Sequence, residues 1–374
     1  MARRGYDDVY LVTGFPTFRG RKMVEHLIRA EPRALVYLVV REKFAAETAE
    51  ALSHLSDGER ARVVVIEGDA AAMDLGLSGK EYRELAAAVE RIHHVAQVTY
   101  VGVDRKMAEE VNIGATREVI ELGKTCTNLR SIVVHSSALV SGNRTGLVLE
   151  DELGAGQSFH SPVEETLARA ERLLRSQMSE LPIAVVRPTQ LVGDSRTGEV
   201  DRFDGPYLMI LLIVSSPQEF PLLLPARGDA PMNLVPIDYV VAAAHRIGKA
   251  NDAMGRTFHL ADPRPLSVRR VFELVARAGG KRLNSAHIPA NVTRALLSAP
   301  GFHQLSKSPR AFLEVMTTPV RYDARNTEAI LSGTSVTCPP FESYVEELVS
   351  FVKRRVAERR ERSESELEVE DPLA

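Results

Sequence analysis

A glycine-containing turn near the amino terminus has the residue types of a phosphate-binding loop. It lies between a β-branched segment and an amphipathic one, and its candidate contacts are Gly14, Phe15, Pro16, Thr17 and Gly20. A turn from a strand into a helix can place main-chain N–H groups and the positive helix end against a pyrophosphate. The turn therefore indicates nucleotide binding, although a glycine motif by itself is a weak indicator.

Two side chains elsewhere in the sequence are candidates for proton transfer. His160 just precedes a predicted helix, and an imidazole that titrates near neutrality could protonate a carbonyl oxygen. Tyr100, in the loop after the fourth predicted strand, is a second candidate, but loop residues of either type are more often surface or packing residues. The ten histidines show neither HExxH nor paired-cysteine spacing, so no metal site is predicted. Ser137 follows a strand without the G-x-S-x-G pattern of a nucleophile elbow.

The elements that must position these residues alternate between short β-branched runs and longer amphipathic ones. Such alternation requires crossover connections, which favours an α/β fold with a doubly wound parallel sheet covered by helices on both faces. The predicted strands are Val9–Thr13, Val36–Val40, Val63–Ile66, Ile92–Val98, Ser131–His135 and Ile183–Val186. The predicted helices are Lys22–Ala30, Ala46–Leu55, Tyr82–Glu90, Asn112–Lys124 and Val163–Met178.

After Arg187 this alternation stops, which predicts a second, smaller and discontinuous domain. We expect the first domain, which contains this sheet, over residues 1–202, with returning segments near 233–261. The strand-like segments Asn233–Pro236 and Phe258–Ala261 are the ones expected to rejoin the sheet. The substrate domain is then 203–232 and 262–352, and residues 353–374 form a charged, disordered tail. The apolar run Tyr207–Val214 is too short to span a membrane and predicts a buried helix.

The composition restricts the classes of partner. The chain of 374 residues is 44% hydrophobic and 26% charged, as in globular proteins. Its formal charge of -3 provides no summed positive field to attract nucleic acid or an anionic membrane, so nucleic acid is not an expected partner. Two cysteines make no disulfide framework, and the amino terminus has no apolar signal-peptide segment, so a cytoplasmic location and no transmembrane segment are expected.

A series of short motifs accompanies the glycine turn in chain order. They are Gly68-Asp69 followed by the LGL stretch at 75–77, the HxA segment at 94–96, the NxxGT segment at 112–116, the SSxxxxG segment at 136–142 and RPxxxxGDSRTGE at 187–199. Together they resemble the extended short-chain dehydrogenase/reductase superfamily, in its branch of thioester reductases and male-sterility-like fatty acyl-CoA reductases. The resemblance covers roughly residues 8–350 and implies the NAD(P)-binding Rossmann fold.

The resemblance also implies roles for particular residues. Arg41 matches the arginine that this branch uses against the ribose 2′-phosphate, which favours NADP(H) over NAD. Asp69 falls on the adenine side, and Ser137 falls at the catalytic serine. The remaining cofactor-binding positions that the resemblance implies are Ala96, Asn112 and Pro188.

Two departures from the family pattern bear on catalysis. The superfamily places a tyrosine and, four residues later, a lysine on one helix, and these positions are Val163 and Leu167 here. Neither side chain transfers a proton or carries charge. Thr17 further replaces the middle glycine of the family's TGxxGxxG loop. The pattern predicts a reductase fold with a degraded catalytic site.

Three functions follow from this resemblance. The first is an NADPH-dependent reductase that transfers hydride to a carbonyl or acyl thioester, its small-molecule substrate. The alternative is a non-catalytic regulator or scaffold that keeps the fold, and a weaker alternative is a nucleotide-sugar epimerase or dehydratase. The sequence does not predict the oligomeric state.

Overall fold

A seven-stranded parallel sheet forms the centre of the first of two compact units. The computed structural model describes residues 5–100, 102–203, 205–215, 222–225, 229–281, 283–288 and 319–369. The strands are β1 (Asp8–Thr13), β2 (Ala34–Val40), β3 (Val63–Glu67), β4 (Arg91–His94), β5 (Ser131–His135), β6 (Gly146–Val148), β7 (Ile183–Pro188), β8 (Gln190–Val192), β9 (Leu222–Pro225), β10 (Leu234–Pro236), β11 (Thr257–Leu260), β12 (Leu283–Ile288) and β13 (Val320–Tyr322). The α-helices are α1 (Phe18–Ala30), α2 (Ala45–Leu52), α3 (Asp57–Arg60), α4 (Gly79–Ala88), α5 (Arg105–Ala108), α6 (Ala115–Thr125), α7 (Pro162–Arg175), α8 (Pro206–Ser215), α9 (Ile237–Lys249), α10 (Val268–Gly279), α11 (Arg325–Leu331) and α12 (Val345–Val369).

The order of strands in the large sheet is β11-β7-β5-β4-β1-β2-β3, and all neighbours are parallel. The predicted doubly wound Rossmann fold is therefore confirmed. The chain runs from β1 outward through β2 and β3, then returns to β4 on the other side of β1. This reversal creates a crevice at the carboxyl ends of β1 and β4, where open α/β sheets bind their ligands.

Helices cover the sheet on both faces. On one face Leu85 of α4, Val119 of α6 and Leu174 of α7 join the strands in a single apolar cluster. On the other face α1 packs against α9, and Nε2 of His245 on α9 lies 3.5 Å from the Tyr10 hydroxyl of β1. Strands β1 and β2 are consequently buried along their whole length, as parallel strands between two helical layers must be.

The second compact unit consists of residues 190–236, 264–319 and 339–374. Its core contains Tyr207 and Leu208 of α8, Val275 of α10 and Leu348 of α12, all nearly inaccessible to solvent. The predicted buried helix in the apolar run is thus confirmed as α8. Within the described residues, no helix is both long enough and apolar enough to cross a membrane.

The division of the chain differs from the predicted boundaries. The second unit begins at Gln190 and not at residue 203, because β8 pairs with β10 in a separate two-stranded sheet. The expected return of Asn233–Pro236 to the large sheet is therefore wrong, whereas Phe258–Ala261 does return as β11 beside β7. Residues 320–338 also belong to the first unit, since β13 pairs with β6.

Two predicted segments have a different local structure. In the tail that is expected to be disordered from residue 353, residues 353–369 are instead helical as part of α12, and Val356 packs against the core; residues 370–374 lie outside the described residues. Residues Glu109–Gly114 form a π-helical turn before α6, where a single helix is predicted from Asn112.

Candidate functional site

The glycine turn joins β1 to α1 at the crevice. Gly14 has a φ of +84°, and a Cβ there would lie 2.6 Å from the main-chain N of Ala96. A Cβ on Gly20 would lie 2.7 Å from the Gly14 carbonyl oxygen. Both positions require glycine, because the turn, the helix and the segment after β4 approach one another at main-chain distance. The Phe15 side chain is buried, and Arg21 Nη1 donates to the Pro16 carbonyl at 3.1 Å.

The Thr17 side chain makes two hydrogen bonds within this turn. Its hydroxyl donates to the Gly14 carbonyl oxygen, and its Oγ1 accepts from the Gly20 N–H at 3.3 Å. Thr17 is thus the N-cap of α1, the position where threonine satisfies a free helix amide. One main-chain donor at the helix end is thereby used within the protein.

A buried histidine connects the end of β1 with α6. His94 Nδ1 lies 2.8 Å from the Thr13 hydroxyl, and its Nε2 lies 3.4 Å from the Thr116 hydroxyl. Thr116 donates its hydrogen to the Asn112 carbonyl at 2.7 Å, so its oxygen accepts from the imidazole Nε2–H. Burial and then the charge of Arg19 lower the pKa of His94 to about 3. His94 is therefore a neutral structural link.

Asn112 ties the segment after β4 to α7. Its Oδ1 accepts from the Val98 N–H at 2.7 Å, and its Nδ2 donates to the Val98 carbonyl at 3.1 Å and to the Thr166 hydroxyl at 3.0 Å. Asn112 is fully buried. The structure places this predicted cofactor residue in a protein-internal network, where it positions two elements that border the crevice.

Arg41 and Asp69 lie together at the carboxyl ends of β2 and β3. Arg41 Nε is 3.5 Å from Asp69 Oδ2, and the side chains are 37% and 29% exposed. The Arg41 guanidinium also lies 5.9 Å from the centroid of the Phe44 ring. Asp69 Oδ1 accepts from the Ala71 N–H at 3.0 Å. The structure thus brings these two predicted residues together on the β2–β3 side, with the arginine still accessible.

Ser137 begins a tight turn after β5. Its Oγ accepts from the Leu139 N–H at 3.2 Å, and the residue is 7% exposed. The neighbouring Ser136 donates to Glu171 Oε2 at 3.3 Å. Ser137 caps the turn over residues 138–141, which carries Val140 toward α7.

Val163 and Leu167 lie on one face of α7 in a closed apolar cluster. They are 0% and 1% exposed and pack with Val98, which follows β4, and Val140, which follows β5. The same cluster includes Ala108 of α5. Hydrocarbon therefore fills the region where the sequence comparison expects a phenol and an ammonium group.

The helix that carries this pair is fixed by a buried ion pair that the sequence analysis did not assign. Arg187 of β7 and Glu171 of α7 are both fully buried, with Nη2 and Oε1 2.6 Å apart. Burial acts to raise the pKa of Glu171, but the charges of Arg187 and Arg175 lower it overall. The sequence signal that could have predicted this pair is the occurrence of Arg187 in a β-branched strand and of Glu171 on the predicted helix Val163–Met178, since charged residues in buried elements are usually paired.

The remaining candidates lie on other elements of the chain. His160 is bonded within the entry to α7: its main-chain N–H donates to Glu164 Oε2 at 2.8 Å, and its Nδ1 lies 3.2 Å from the same oxygen. Tyr100 is 36% exposed in the loop after β4. Pro188 ends β7 opposite Leu260 of β11. Across the residues that the structure describes, no three histidine, cysteine or acidic side chains form a metal-binding group.

Sequence reasoning missed two residues beside the turn. Arg19 of α1 donates through Nη2 to the main-chain oxygen of Gln97 at 3.0 Å. Gln97 lies in a tight turn after β4, where its N–H donates to the Val95 carbonyl at 2.7 Å. The presence of an arginine in the glycine turn could have indicated that this side chain makes a contact beside the turn. The partner could not be predicted, because Gln97 is 78 residues distant in the sequence.

Comparison with known proteins decides the family. The sequence model of male sterility proteins matches residues 12–244, which is more than half of the chain. The chain belongs to the male sterility protein family. This is a family of NAD(P)-binding proteins with the extended short-chain dehydrogenase/reductase fold.

Curated relatives of this male sterility family protein include reductases. The fatty acyl-CoA reductase wat of Drosophila melanogaster is 24% identical over 282 residues, which cover 63% of this chain and 53% of the relative. The human fatty acyl-CoA reductase 1 is 24% identical over 280 residues, covering 62% and 52%. The chain spans about half the length of these curated relatives.

Solved structures of reductase domains share the fold of this family member. The terminal R domain from the myxalamid PKS-NRPS biosynthetic pathway superposes with a TM-score of 0.80 at 25% identity, covering 94% of this chain and 92% of that one. The R domain of a nonribosomal peptide synthetase from Mycobacterium tuberculosis gives 0.69 at 20% identity, with the same coverage of each chain. UDP-glucuronic acid 4-epimerase from Bacillus cereus, solved with NAD, gives 0.65 at 16% identity, covering 92% and 99%, which shows a common fold alone.

Proposed function

We propose that this protein binds NADP(H) and an acyl thioester on the scaffold of the fatty acyl-CoA and thioester reductases, with a catalytic site that lacks the family's proton-transfer pair. Arg41 supports NADP(H) over NAD, because its guanidinium is accessible at the carboxyl end of β2, where a ribose 2′-phosphate would gain a positive partner. The matches to fatty acyl-CoA reductases support an acyl substrate.

The residues of the turn fit a dinucleotide. The close main-chain approach at Gly14 and the amino end of α1 are the features that hold a pyrophosphate in such folds. The side-chain oxygen of Gln97 is buried beside this turn and has no hydrogen-bond partner among the described residues. A donor on a bound cofactor would satisfy it. The nicotinamide ring supplies the hydride when it is bound, and the protein's residues provide its position.

The proposal of an altered catalytic site depends on one observation, the complete burial of Val163 and Leu167 among apolar side chains. Without a phenol and an ammonium group at these positions, a developing oxyanion receives no proton from α7. Loss of such general acid assistance typically lowers a rate by about 10²–10⁴-fold. Turnover of an acyl thioester should therefore be slow.

A double variant, Val163→Tyr with Leu167→Lys, tests this function. We expect the parent to bind NADPH in a fluorescence titration and to oxidise it slowly with an acyl-CoA, and the double variant to be faster by about 10²-fold or more. The matched control, Leu167→Met, conserves volume and should leave turnover unchanged. A parent at least as fast as the double variant would contradict the proposal.

The same packing favours a second candidate, a dinucleotide-binding regulator without turnover. Apolar side chains in this position keep the fold and close the reactive region. If this candidate is correct, the parent binds NADPH but reduces none of the acyl thioesters tested. The double variant then shows reductase activity that the parent lacks.

A further inference from the structure

A positive charge lies on the β4 side of the crevice. Arg19 is held there by its bond to the Gln97 main-chain oxygen, across the gap between α1 and the segment after β4. After burial, the charge of Arg19 is the next cause that lowers the pKa values of His94 and His135, which end β4 and β5. The electrostatic field of Arg19 therefore reaches the ends of β4 and β5. Arg41, at the end of β2, lies on the opposite side of β1.

An acceptor without a donor lies beside this charge. The Oε1 atom of Gln97 is inaccessible to solvent, and no group in the described part of the chain donates to it. A buried acceptor that makes no hydrogen bond is destabilising, and such groups in native proteins call for an explanation. This acceptor lies in the segment that borders the glycine turn, because the main chain of Val95 and Ala96 in the same segment packs against Gly14.

The α7 residues Val163 and Leu167 bring no polar group to this segment. Val98, the next residue after Gln97, packs into the cluster of Val163 and Leu167. At these two positions α7 contributes hydrocarbon, whereas Arg19 of α1 and Gln97 of the turn after β4 are polar and in contact. A dinucleotide with its adenosine at Arg41 and Asp69 would cross the amino end of α1, and its second nucleotide would lie on the side of Arg19 and Gln97.

We propose that Arg19 and Gln97 form the nicotinamide-side half of the dinucleotide site, with Arg19 binding an oxygen of the nicotinamide-side phosphate and the Gln97 side-chain carbonyl accepting a hydrogen bond from the ribose of the nicotinamide nucleotide. This inference rests on the proposed NADP(H) function. It assigns to two residues outside α7 the positive charge and the polar contact that Val163 and Leu167 do not provide. Both are binding and positioning residues.

Comparing the affinities of two ligands distinguishes the two halves of the proposed site. NADPH contains both nucleotides, whereas adenosine 2′,5′-bisphosphate contains only the adenosine part with its 2′-phosphate and the adenosine-side phosphate of the pyrophosphate. We expect Arg19→Leu to raise the Kd of NADPH about tenfold, which corresponds to about 1.4 kcal/mol. Gln97→Met, which keeps the length and removes the acceptor, should raise it about threefold to tenfold. Neither variant should change the Kd of adenosine 2′,5′-bisphosphate.

Matched variants control for indirect effects. Arg62→Leu removes another half-buried guanidinium that donates to main-chain carbonyls, those of Glu31 and Ile28 at the carboxyl end of α1, and should leave both affinities unchanged. Arg41→Ala should weaken both ligands. If Arg19→Leu does not fold by circular dichroism, Arg19→Lys and Gln97→Met provide the same comparison, with the lysine retaining part of the affinity.

The outcomes are distinct. Unchanged NADPH affinity in the Arg19 and Gln97 variants, or an equal loss for both ligands, would overturn the inference while leaving NADP(H) binding intact. A parent protein that binds neither ligand would overturn the proposed function, and the inference with it. Selective loss of NADPH affinity would establish the pair.

Discussion

At the scale of single residues, the glycine turn combines a family-like geometry with one unusual side chain. Gly14 and Gly20 keep the close main-chain approach of a nucleotide-binding turn. Thr17, however, donates to Gly14 and accepts from Gly20 within that turn. The hydroxyl stabilises the start of α1, and in the proposed cofactor site it would compete with a bound phosphate for the same helix amide.

Replacement of Thr17 by glycine should therefore strengthen cofactor binding. We expect Thr17→Gly to lower the Kd of NADPH about threefold to tenfold, equivalent to about 0.7–1.4 kcal/mol, because the Gly20 N–H becomes available. Loss of the cap should cost only a few tenths of a kcal/mol, since glycine is itself tolerated at N-cap positions. Calorimetric titration measures the first effect and urea denaturation the second. Thr17→Ser keeps the hydroxyl and should behave as the parent; weaker NADPH binding by Thr17→Gly would refute this account.

At the scale of elements, two buried polar contacts hold α7 beside the crevice. Arg187 and Glu171 join it to β7, and the Asn112 amide joins it to the segment after β4. These contacts explain why the apolar pair Val163 and Leu167 is packed closely, since the helix cannot move outward without breaking them. Removing one partner of a buried ion pair typically costs about 3–5 kcal/mol.

The Asn112 contact can be tested by truncation. We expect Asn112→Ala to lower the free energy of unfolding by about 2–3 kcal/mol, because the N–H and carbonyl of buried Val98 both lose their partner. Asn128→Ala is the matched control, since Asn128 is exposed and its amide makes only peripheral bonds. Urea denaturation of the parent and both variants measures the difference. Equal stability of the two variants would show that Asn112 does not couple these elements.

At the scale of the whole molecule, buried histidines link stability to pH. Burial lowers the pKa values of His94 and His135 to about 3 and that of His93 well below 6.5. His93 Nδ1 lies 3.3 Å from His135 Nε2, so both rings are neutral in the folded protein. As the pH falls below 6.5, the unfolded chain takes up protons that the folded chain does not, and stability is lost.

We expect the free energy of unfolding to decrease from pH 7 to pH 5, by up to about 1.4 kcal/mol per pH unit for each buried histidine. Burial raises the pKa of Glu150, so this carboxyl group acts in the opposite direction. The variant His135→Gln measures the contribution of His135, because it keeps a hydrogen-bonding side chain but removes the titrating group. It should reduce the dependence of the free energy of unfolding on pH by the equivalent of up to one proton. Urea denaturation at each pH provides the values, and a slope that is the same in parent and variant would exclude His135 as a source.

Much of the fold follows from local patterns that the sequence displays. The strand Ser131–His135 matches its predicted bounds, and the buried helix over the run from Tyr207 is present as α8. Such elements depend on the periodicity of neighbouring residues, which a single sequence contains. The domain boundary at Gln190 could not be predicted in this way, because it depends on β8 pairing with β10 more than forty residues later.

The sequence by itself determined the parallel α/β architecture and the position of the glycine turn, and it predicts that Val163 and Leu167 stand where the family has a phenol and an ammonium group. These properties reside in residue type and short-range spacing. Only the tertiary structure decided that Thr17 satisfies its own turn, that Asn112 is enclosed by protein, and that Arg19 reaches Gln97. Each of the last two depends on contacts between residues that the sheet order brings together, and side-chain direction within a turn depends on the folded main chain.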